Sequence, residues 1–180
     1  MTELAPTETR NLDGYGNAEL TWERAHHALA NPEPSTNTIY FLCTASADGK
    51  PHTAPVGAIW HNEGIYFISG PGTRKSRNLA DNPRASMAIG LKGIDLVLEG
   101  KVEQVSDAEG IAEIAGVYKQ HGWPAEPDPS GQGVTAPYNA PAAGPPPWYV
   151  YRFWFDTVIG TATEDPHGTT RWRFAPQGQG

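Results

Sequence analysis

Short runs of β-branched and aromatic residues, separated by turn signals, dominate residues 39–105 and restrict the folds open to this chain. Asp48-Gly49, for example, stands between two such runs and is typical of a two-residue hairpin turn. Residues 39–69 are therefore predicted to form an antiparallel meander. The strands predicted in this region are residues 39–46, 51–60, 65–69, 85–91 and 94–102.

Three other segments show the periodicity or the end signals of helices. They are residues 22–29, with Thr21 as the predicted N-cap, residues 73–82, and residues 107–120. Two late strands are predicted over residues 148–162 and 169–174. Seven or eight mostly antiparallel strands with two or three helices and no βαβ alternation exclude a doubly wound fold. They favour a small, mainly β barrel with flanking helices.

Residues 124–147 contain eight prolines (124, 127, 129, 137, 141, 145, 146 and 147) and three glycines (131, 133 and 144). Neither a helix nor a central strand can run through such a stretch. We predict a long ordered loop within a single domain. The expected organisation is an N-terminal arm over residues 1–20, a barrel domain over 21–176 and a tail over 177–180.

Composition excludes several classes of protein. A formal net charge of -7 over 180 residues argues against binding nucleic acid. A transmembrane helix needs about 20 apolar residues, and no apolar run approaches this length. The N-terminus lacks the basic and then apolar pattern of a secretory signal. We therefore expect a cytoplasmic protein without membrane contact. The single cysteine, Cys43, lies in an apolar run and is predicted to be a buried thiol.

The strongest local signal is the passage from a strand through Gly70-Pro71-Gly72 into a helix. Thr73 is the predicted N-cap, and Arg74, Lys75 and Arg77 follow in the first turn. Cations at the positive end of a helix are unfavourable by very roughly 0.3–1 kcal/mol each. A bound phosphate would offset this cost, because it accepts from the free N–H groups and pairs with the cations. The alternative is a solvated basic surface.

No other motif carries chemistry. P-loop and nucleophile-elbow patterns are absent. The six histidines have no metal-binding spacing, so no metal site is expected. Carboxylates such as Glu99 and Glu103 alternate along a strand as on a solvated face. The catalytic residues are therefore not assigned.

Five segments resemble one family. GKPHTAPVGAIW, GIYFISGPGTRKSRNLADNPRASMAI and LVLEGKVEQVSD are similar to the core of the pyridoxamine 5′-phosphate oxidase-like split β-barrel proteins, which bind flavins or deazaflavins. APYNAPAAGPPPWYVYRF and TRWRF resemble an actinobacterial branch of that family. The resemblance covers residues 21–174.

The resemblance implies a homodimer of split barrels with two cofactor sites at the subunit interface, and FMN or coenzyme F420 as the cofactor. It places Arg74 and Lys75 at the cofactor phosphate. The other positions that it implies for the cofactor are Ser69, Thr73 and Asn78 near the phosphate, Thr53, Ala54, Pro55 and Val56 along the ring, and Arg171 and Trp172 from the other subunit. Trp172 also suits a core position.

The C-terminal Arg-x-His arrangement of true pyridoxamine 5′-phosphate oxidases is absent, since residues 171–173 read Arg-Trp-Arg. Vitamin B6 oxidation is therefore not expected. The resemblance implies an oxidoreductase that transfers hydride between FMN or F420 and a small conjugated acceptor. The alternative is a non-catalytic protein that binds FMN, haem or a related planar ligand.

Residues 148–155 are apolar on both strand faces, which predicts that a second subunit covers one of them. The proline-rich segment would then form a stiff wall beside the cofactor. Tyr138 and Trp148 would be its aromatic contacts on the substrate side, with plain hydrophobic anchoring as the alternative.

Overall fold

The computed structural model describes residues 4–32, 39–138 and 143–176, so the predicted tail 177–180 and loop residues 139–142 lie outside it. The strands are β1 Glu8–Asn11, β2 Tyr40–Ala45, β3 Pro51–Val56, β4 Ala58–His61, β5 Gly64–Ser69, β6 Arg84–Leu91, β7 Ile94–Val105, β8 Glu126–Pro127, β9 Val134–Thr135, β10 Tyr149–Ala162 and β11 Thr169–Arg173. The helices are α1 Trp22–Ala30, α2 Arg74–Asp81 and α3 Ala108–Gln120.

Strand β10 organises the main sheet. It pairs with β7 along one edge, while β5 and β11 share its other edge, and every one of these pairings is antiparallel. From β7 the sheet continues through β6 and β2 to β3. Because β4 follows β3 after Gly57 alone and pairs with β5, the chain curves the sheet back toward β10. The fold is a split β-barrel with flanking helices.

Two strand predictions are corrected. The run predicted as one strand over residues 51–60 is interrupted at Gly57, where the chain leaves β2 and joins β5. Strand β1 lies in the arm, where no strand is predicted, and it pairs with β11. Its sequence, Glu-Thr-Arg-Asn, has no apolar alternation and all four residues are exposed, so only pairing makes it a strand.

The inner row of the sheet forms the main core. Successive residues in register across β3, β2, β6, β7, β10 and β11 are Ala54, Leu42, Met87, Leu98, Val158 and Trp172. From Leu42 to Trp172 these side chains are completely buried. Helix α1 adds Ala25 and Leu29 to the same core. Along β7 buried and exposed residues alternate, with Glu99 and Glu103 on the exposed side, as predicted.

A second core lies under α3, on the outer face of β5 and β10. Here Ile111 and Ile114 pack in one cluster with Ile68, Trp148 and Val150. Trp148 and Val150 are completely buried within one chain. The prediction that a second subunit covers the apolar outer face of residues 148–155 is therefore wrong for these positions, because α3 covers them.

Exposed apolar surface lies elsewhere, on the outer face of β3, β2, β6, β7 and β10. We call it the outer row, and its residues in register are Pro55, Phe41, Ala88, Val97 and Ile159. Phe41 and Val97 are 43% and 40% exposed. The next row contains Cys43, which is half-buried rather than buried and accepts a hydrogen bond from the Thr53 hydroxyl at 3.3 Å.

None of the helices in the described part of the chain combines the length and the apolar character needed to cross a bilayer. Within residues 4–32, 39–138 and 143–176, no group of three or more His, Cys, Asp or Glu side chains could hold a metal ion.

Candidate functional site

A cluster of hydroxyl groups forms where β5 passes into α2. Ser69, the last residue of β5, is completely buried, and its Oγ lies 2.8 Å from Oγ1 of Thr73. Thr73 caps the helix, because its Oγ1 accepts the N–H of Ser76 at 3.3 Å. The same hydroxyl donates to Ser76 Oγ at 3.0 Å. The predicted cap is confirmed, and three hydroxyls surround the start of α2.

Positive charge accompanies these hydroxyls. Lys75 is only 4% exposed, and burial lowers the pKa of its ammonium group. Arg74 is half-buried and forms no salt bridge with any described residue. The first turn of α2 carries no acidic side chain. Two cations at the positive end of a helix, without a carboxylate in that turn, are an arrangement whose charge is complementary to an anion.

Two buried contacts fix the position of α2. Asn78 Nδ2 donates to Thr44 Oγ1 of β2 at 2.9 Å, so Asn78 ties the helix to the sheet. Burial raises the pKa of Tyr151 on β10, and a hydrogen bond with Ser76 acts in the opposite direction. Sequence analysis does not single out Ser76, although its place three residues after the cap is a recognisable signal.

Strand β3 lies beside the start of α2, which packs against β2 and β3. Within the described residues β3 pairs only with β2, so its other edge carries backbone groups outside the ladder. Thr53 and Pro55 face outward, while Ala54 and Val56 face the interior. The structure thus brings the predicted ring-binding strand and the predicted phosphate-binding turn together.

His52 reports the positive field of this site. Burial, followed by the charges of Arg74 and Lys75, holds the pKa of His52 below its ordinary value. We expect Arg74→Ala and Lys75→Met each to raise the pKa of His52, because the imidazolium is then less repelled. Saturating inorganic phosphate should raise it too. Proton NMR titration measures the pKa of His52, with the His167 resonance as the control. An unchanged His52 pKa in both variants would contradict the placement of the two cations near His52.

The end of the proline-rich loop contacts the same turn. Gly70 N–H donates to Ala143 O at 2.7 Å, and Trp148 Nε1 donates to Gly144 O at 2.7 Å. Because Trp148 is completely buried, the structure favours the anchoring role for it. Tyr138 is 54% exposed and is not fixed in this way. The loop therefore borders the site through residues 143–145.

Gly70 is the closest approach of the loop to the turn. A Cβ at this position would lie 2.5 Å from Ala143 O and 3.1 Å from Pro145 O. Gly70→Ala should displace the loop and cost about 1–3 kcal/mol of unfolding free energy. Gly72→Ala is the matched control, since a Cβ there has no heavy atom within 4 Å. Urea denaturation compares them, and equal stabilities would refute the close contact.

Arg171 and Trp172 lie on β11, which pairs with residues 157–161 of β10, whereas β5 pairs with residues 149–153. Trp172 is completely buried and its ring lies 5.6 Å from that of Trp22, so its indole is a core side chain. Arg171 stays near the surface and binds Glu8 at 3.0 Å. The structure does not bring these residues to the α2 site of their own chain.

Two curated proteins are similar to this chain in sequence. Over 170 residues the chain is 30% identical to a pyridoxine/pyridoxamine 5′-phosphate oxidase of Bordetella petrii, covering 83% of this chain and 77% of the relative. It is 38% identical over 97 residues to the same-named protein of Paracidovorax citrulli, covering 52% of this chain and 42% of that relative. The chain thus spans less than half of the latter protein.

Solved structures share the fold. A pyridoxamine 5′-phosphate oxidase-related, FMN-binding protein from Nostoc punctiforme superposes with a TM-score of 0.53 at 15% identity, covering 88% of this chain and all of the other. An F420 reductase gives 0.51 at 20% identity, with 78% and 98% covered. A heme-binding protein from Mycobacterium smegmatis gives 0.56 at 17% identity, with 84% and 58% covered.

The family model for pyridoxamine 5′-phosphate oxidase matches residues 27–137. This region contains the β5–α2 turn with its hydroxyls and cations, together with strand β3 beside it. Since this model matches more than half of the 180 residues, the chain belongs to the pyridoxamine 5′-phosphate oxidase family.

Proposed function

We propose that this protein is an oxidoreductase that binds FMN or coenzyme F420 and transfers hydride between that cofactor and a small conjugated acceptor. The start of α2 carries the proposal. There the first turn contains Arg74, the buried Lys75 and no carboxylate, and three hydroxyls are hydrogen-bonded to one another around the cap. This donor set matches a phosphate group. Among the similar structures, the Nostoc punctiforme protein is named as FMN-binding and another protein as an F420 reductase, which supports either cofactor.

The residues also suit the cofactor ring. Thr53, Ala54, Pro55 and Val56 lie on β3, whose outer edge pairs with no described strand, so backbone groups there are available to ring heteroatoms. When bound, a flavin or deazaflavin supplies the hydride chemistry. The chain's own task is then to hold the phosphate with Arg74 and Lys75 and to orient the ring along β3.

The outer row gives the shared-site dimer its structural support. Pro55 at one end of the row belongs to the ring-binding strand, and Arg171 follows Ile159 in register at the other end. A two-fold axis through the middle of the row would place Arg171 of each chain toward the partner's β3 edge. Arg171 is then the residue of β11 that reaches the other cofactor site, while Trp172 stays in the core.

A second candidate function is non-catalytic binding of FMN, haem or a related planar ligand in the same cleft. The similarity to the heme-binding protein of Mycobacterium smegmatis motivates it.

We do not propose vitamin B6 oxidation for this protein. At the position of the histidine in the Arg-x-His arrangement, this chain has Arg173.

The absorbance spectrum and mass of the copurifying ligand distinguish FMN, F420 and haem. For turnover, reduced cofactor bound to the protein is mixed with a quinone, a dye or a tetrapyrrole. The enzyme proposal predicts faster oxidation than in free solution. If no acceptor is reduced faster on the protein while the ligand stays bound, the non-catalytic function replaces the enzyme.

Tyr138 tests the substrate side of the loop. We expect Tyr138→Ala to lower acceptor turnover more than cofactor affinity, because the exposed ring is available to an incoming acceptor. Steady-state kinetics and cofactor titration of the same variant measure both. A loss of affinity with normal turnover would place the loop on the cofactor side instead.

A further inference from the structure

A cavity of about 320 Å³ opens between the start of α3 and the outer face of β5, β7 and β10. None of the residues proposed for the cofactor lines it. Its walls include Tyr66, Glu103, Asp107, Glu113, Arg152 and Trp154. Tyr66, Arg152 and Glu103 are in register on three adjacent strands. The cavity therefore has a charged, aromatic floor built from the sheet and an acidic wall built from α3.

Arg152 is held in place at the floor. Its guanidinium carbon lies 3.5 Å from the centroid of the Trp154 ring and 5.3 Å from that of Tyr66. Gly64 lies against the guanidinium, since a Cβ there would be 2.9 Å from Nε. An aromatic face and a glycine thus restrict the planar group. This preorganisation lowers the cost of binding a ligand with it.

The guanidinium retains unused donors. Among the described residues its one hydrogen bond is the 3.4 Å contact from Nη2 to Asn62 O, and it forms no salt bridge. Burial lowers the pKa of Arg152, although the group stays charged. A half-buried guanidinium with so few acceptors is suited to a carboxylate, which it binds in a two-pronged geometry.

The surrounding charges oppose a simple anion. Glu103 accepts a hydrogen bond from Trp154 Nε1 at 2.8 Å on one oxygen and pairs with Lys101 Nζ at 2.6 Å on the other. Glu113 lies 2.6 Å from His61 Nε2, and Asp107 caps α3. The lining has three carboxylates and one guanidinium, and with Lys101, which lies outside the lining, three negative charges face two positive ones, so the surroundings of the cavity stay negative. A ligand with an anionic group alone would be repelled by the walls, and a cation alone would meet Arg152.

We propose that this cavity binds a small zwitterion of the α-amino acid class, with its carboxylate on Arg152 and its ammonium group toward Glu103, Asp107 and Glu113. The partly apolar lining, which includes Val105 and Ile114, accommodates an aliphatic side chain. A single amino acid is small enough for the cavity. The site is separate from the cofactor cleft, so it tests independently of the proposed function.

Three probes of matched shape distinguish the contributions of the ligand's ammonium group and of its carboxylate to binding. L-Leucine carries both groups, 4-methylpentanoate lacks the ammonium and 3-methylbutylamine lacks the carboxylate. Each is titrated into the purified full chain by calorimetry, and the Trp154 indole N–H is followed by NMR, assigned with Trp154→Phe. Leucine should bind saturably and shift this resonance, and each analogue should bind at least about tenfold more weakly.

Variants test the residues. Arg152→Gln should weaken leucine binding at least about tenfold. Glu113→Gln, at a half-exposed position that folding tolerates, should weaken leucine binding but not that of 4-methylpentanoate. Glu126→Gln, at an exposed position outside the lining, is the control and should change nothing. The proposal is overturned if leucine does not saturate at millimolar concentration, if either analogue binds equally well, or if neither Arg152→Gln nor Glu113→Gln weakens leucine binding.

Discussion

Lys75→Met should weaken binding of the phosphate-bearing cofactor by roughly 10- to 150-fold, which corresponds to about 1.5–3 kcal/mol. Lys75 is buried in the first turn of α2, directly after the cap Thr73, and in the proposed complex the variant removes its charge-assisted hydrogen bond to the phosphate. Methionine keeps the length of the stem and avoids a cavity. Arg74→Ala should have an effect in the same range.

Cofactor titration by fluorescence or calorimetry measures the loss. Lys119→Ala, which removes an exposed lysine paired with Glu126, is the charge-matched control and should bind normally. Thermal unfolding of the cofactor-free variants verifies that they fold. Wild-type dissociation constants for both Lys75→Met and Arg74→Ala would mean that the start of α2 is a solvated basic surface.

Val97→Glu should convert the proposed dimer to a monomer and abolish tight cofactor binding together with it. Val97 lies in the outer row, and a two-fold interface would bury the new carboxylate twice without a partner. We expect a cost of about 3 kcal/mol or more, roughly 150-fold in the dimer dissociation constant. Light scattering measures the mass, and titration measures the cofactor affinity.

Leu12→Glu is the matched control, because Leu12 is also 40% exposed but lies outside the outer row. It should remain dimeric and bind cofactor. If the wild-type protein has the 19.4 kDa mass of one chain at micromolar concentration with cofactor bound, the shared-site dimer is wrong. If Val97→Glu is monomeric and still binds cofactor with full affinity, the cofactor site does not need a residue of the second chain.

Local chemistry made the β5–α2 turn predictable. Thr73 caps the helix because its side chain suits that position, and the Gly-Pro-Gly sequence allows the sharp passage from strand to helix. The hairpin of β2 and β3 was predictable for a similar reason, since Asp48-Gly49 sets the turn between two β-rich runs. Short-range signals such as these act within a few residues of the chain.

Local signals did not predict which elements cover the faces and edges of the sheet. Trp148 and Val150 give the outer face an apolar part that needs a cover, and the sequence alone does not distinguish α3 from a second chain as that cover. Strand β1 forms only because the edge of β11 is available to it. Cys43 lies in an apolar run yet faces outward, because strand alternation decides its side. The cover of Trp148 and Val150 and the pairing of β1 both depend on tertiary packing rather than local preference.

Binding of a cofactor phosphate at the start of α2 is tested by comparing each cofactor with its phosphate-free form. FMN is titrated against riboflavin, and F420 against the same deazaflavin chromophore without its phosphate arm. For the cofactor that binds, we expect the phosphate-free form to bind at least about tenfold more weakly, and Lys75→Met to reduce this difference. Equal affinities of the two forms in the wild-type protein would contradict phosphate binding at this position.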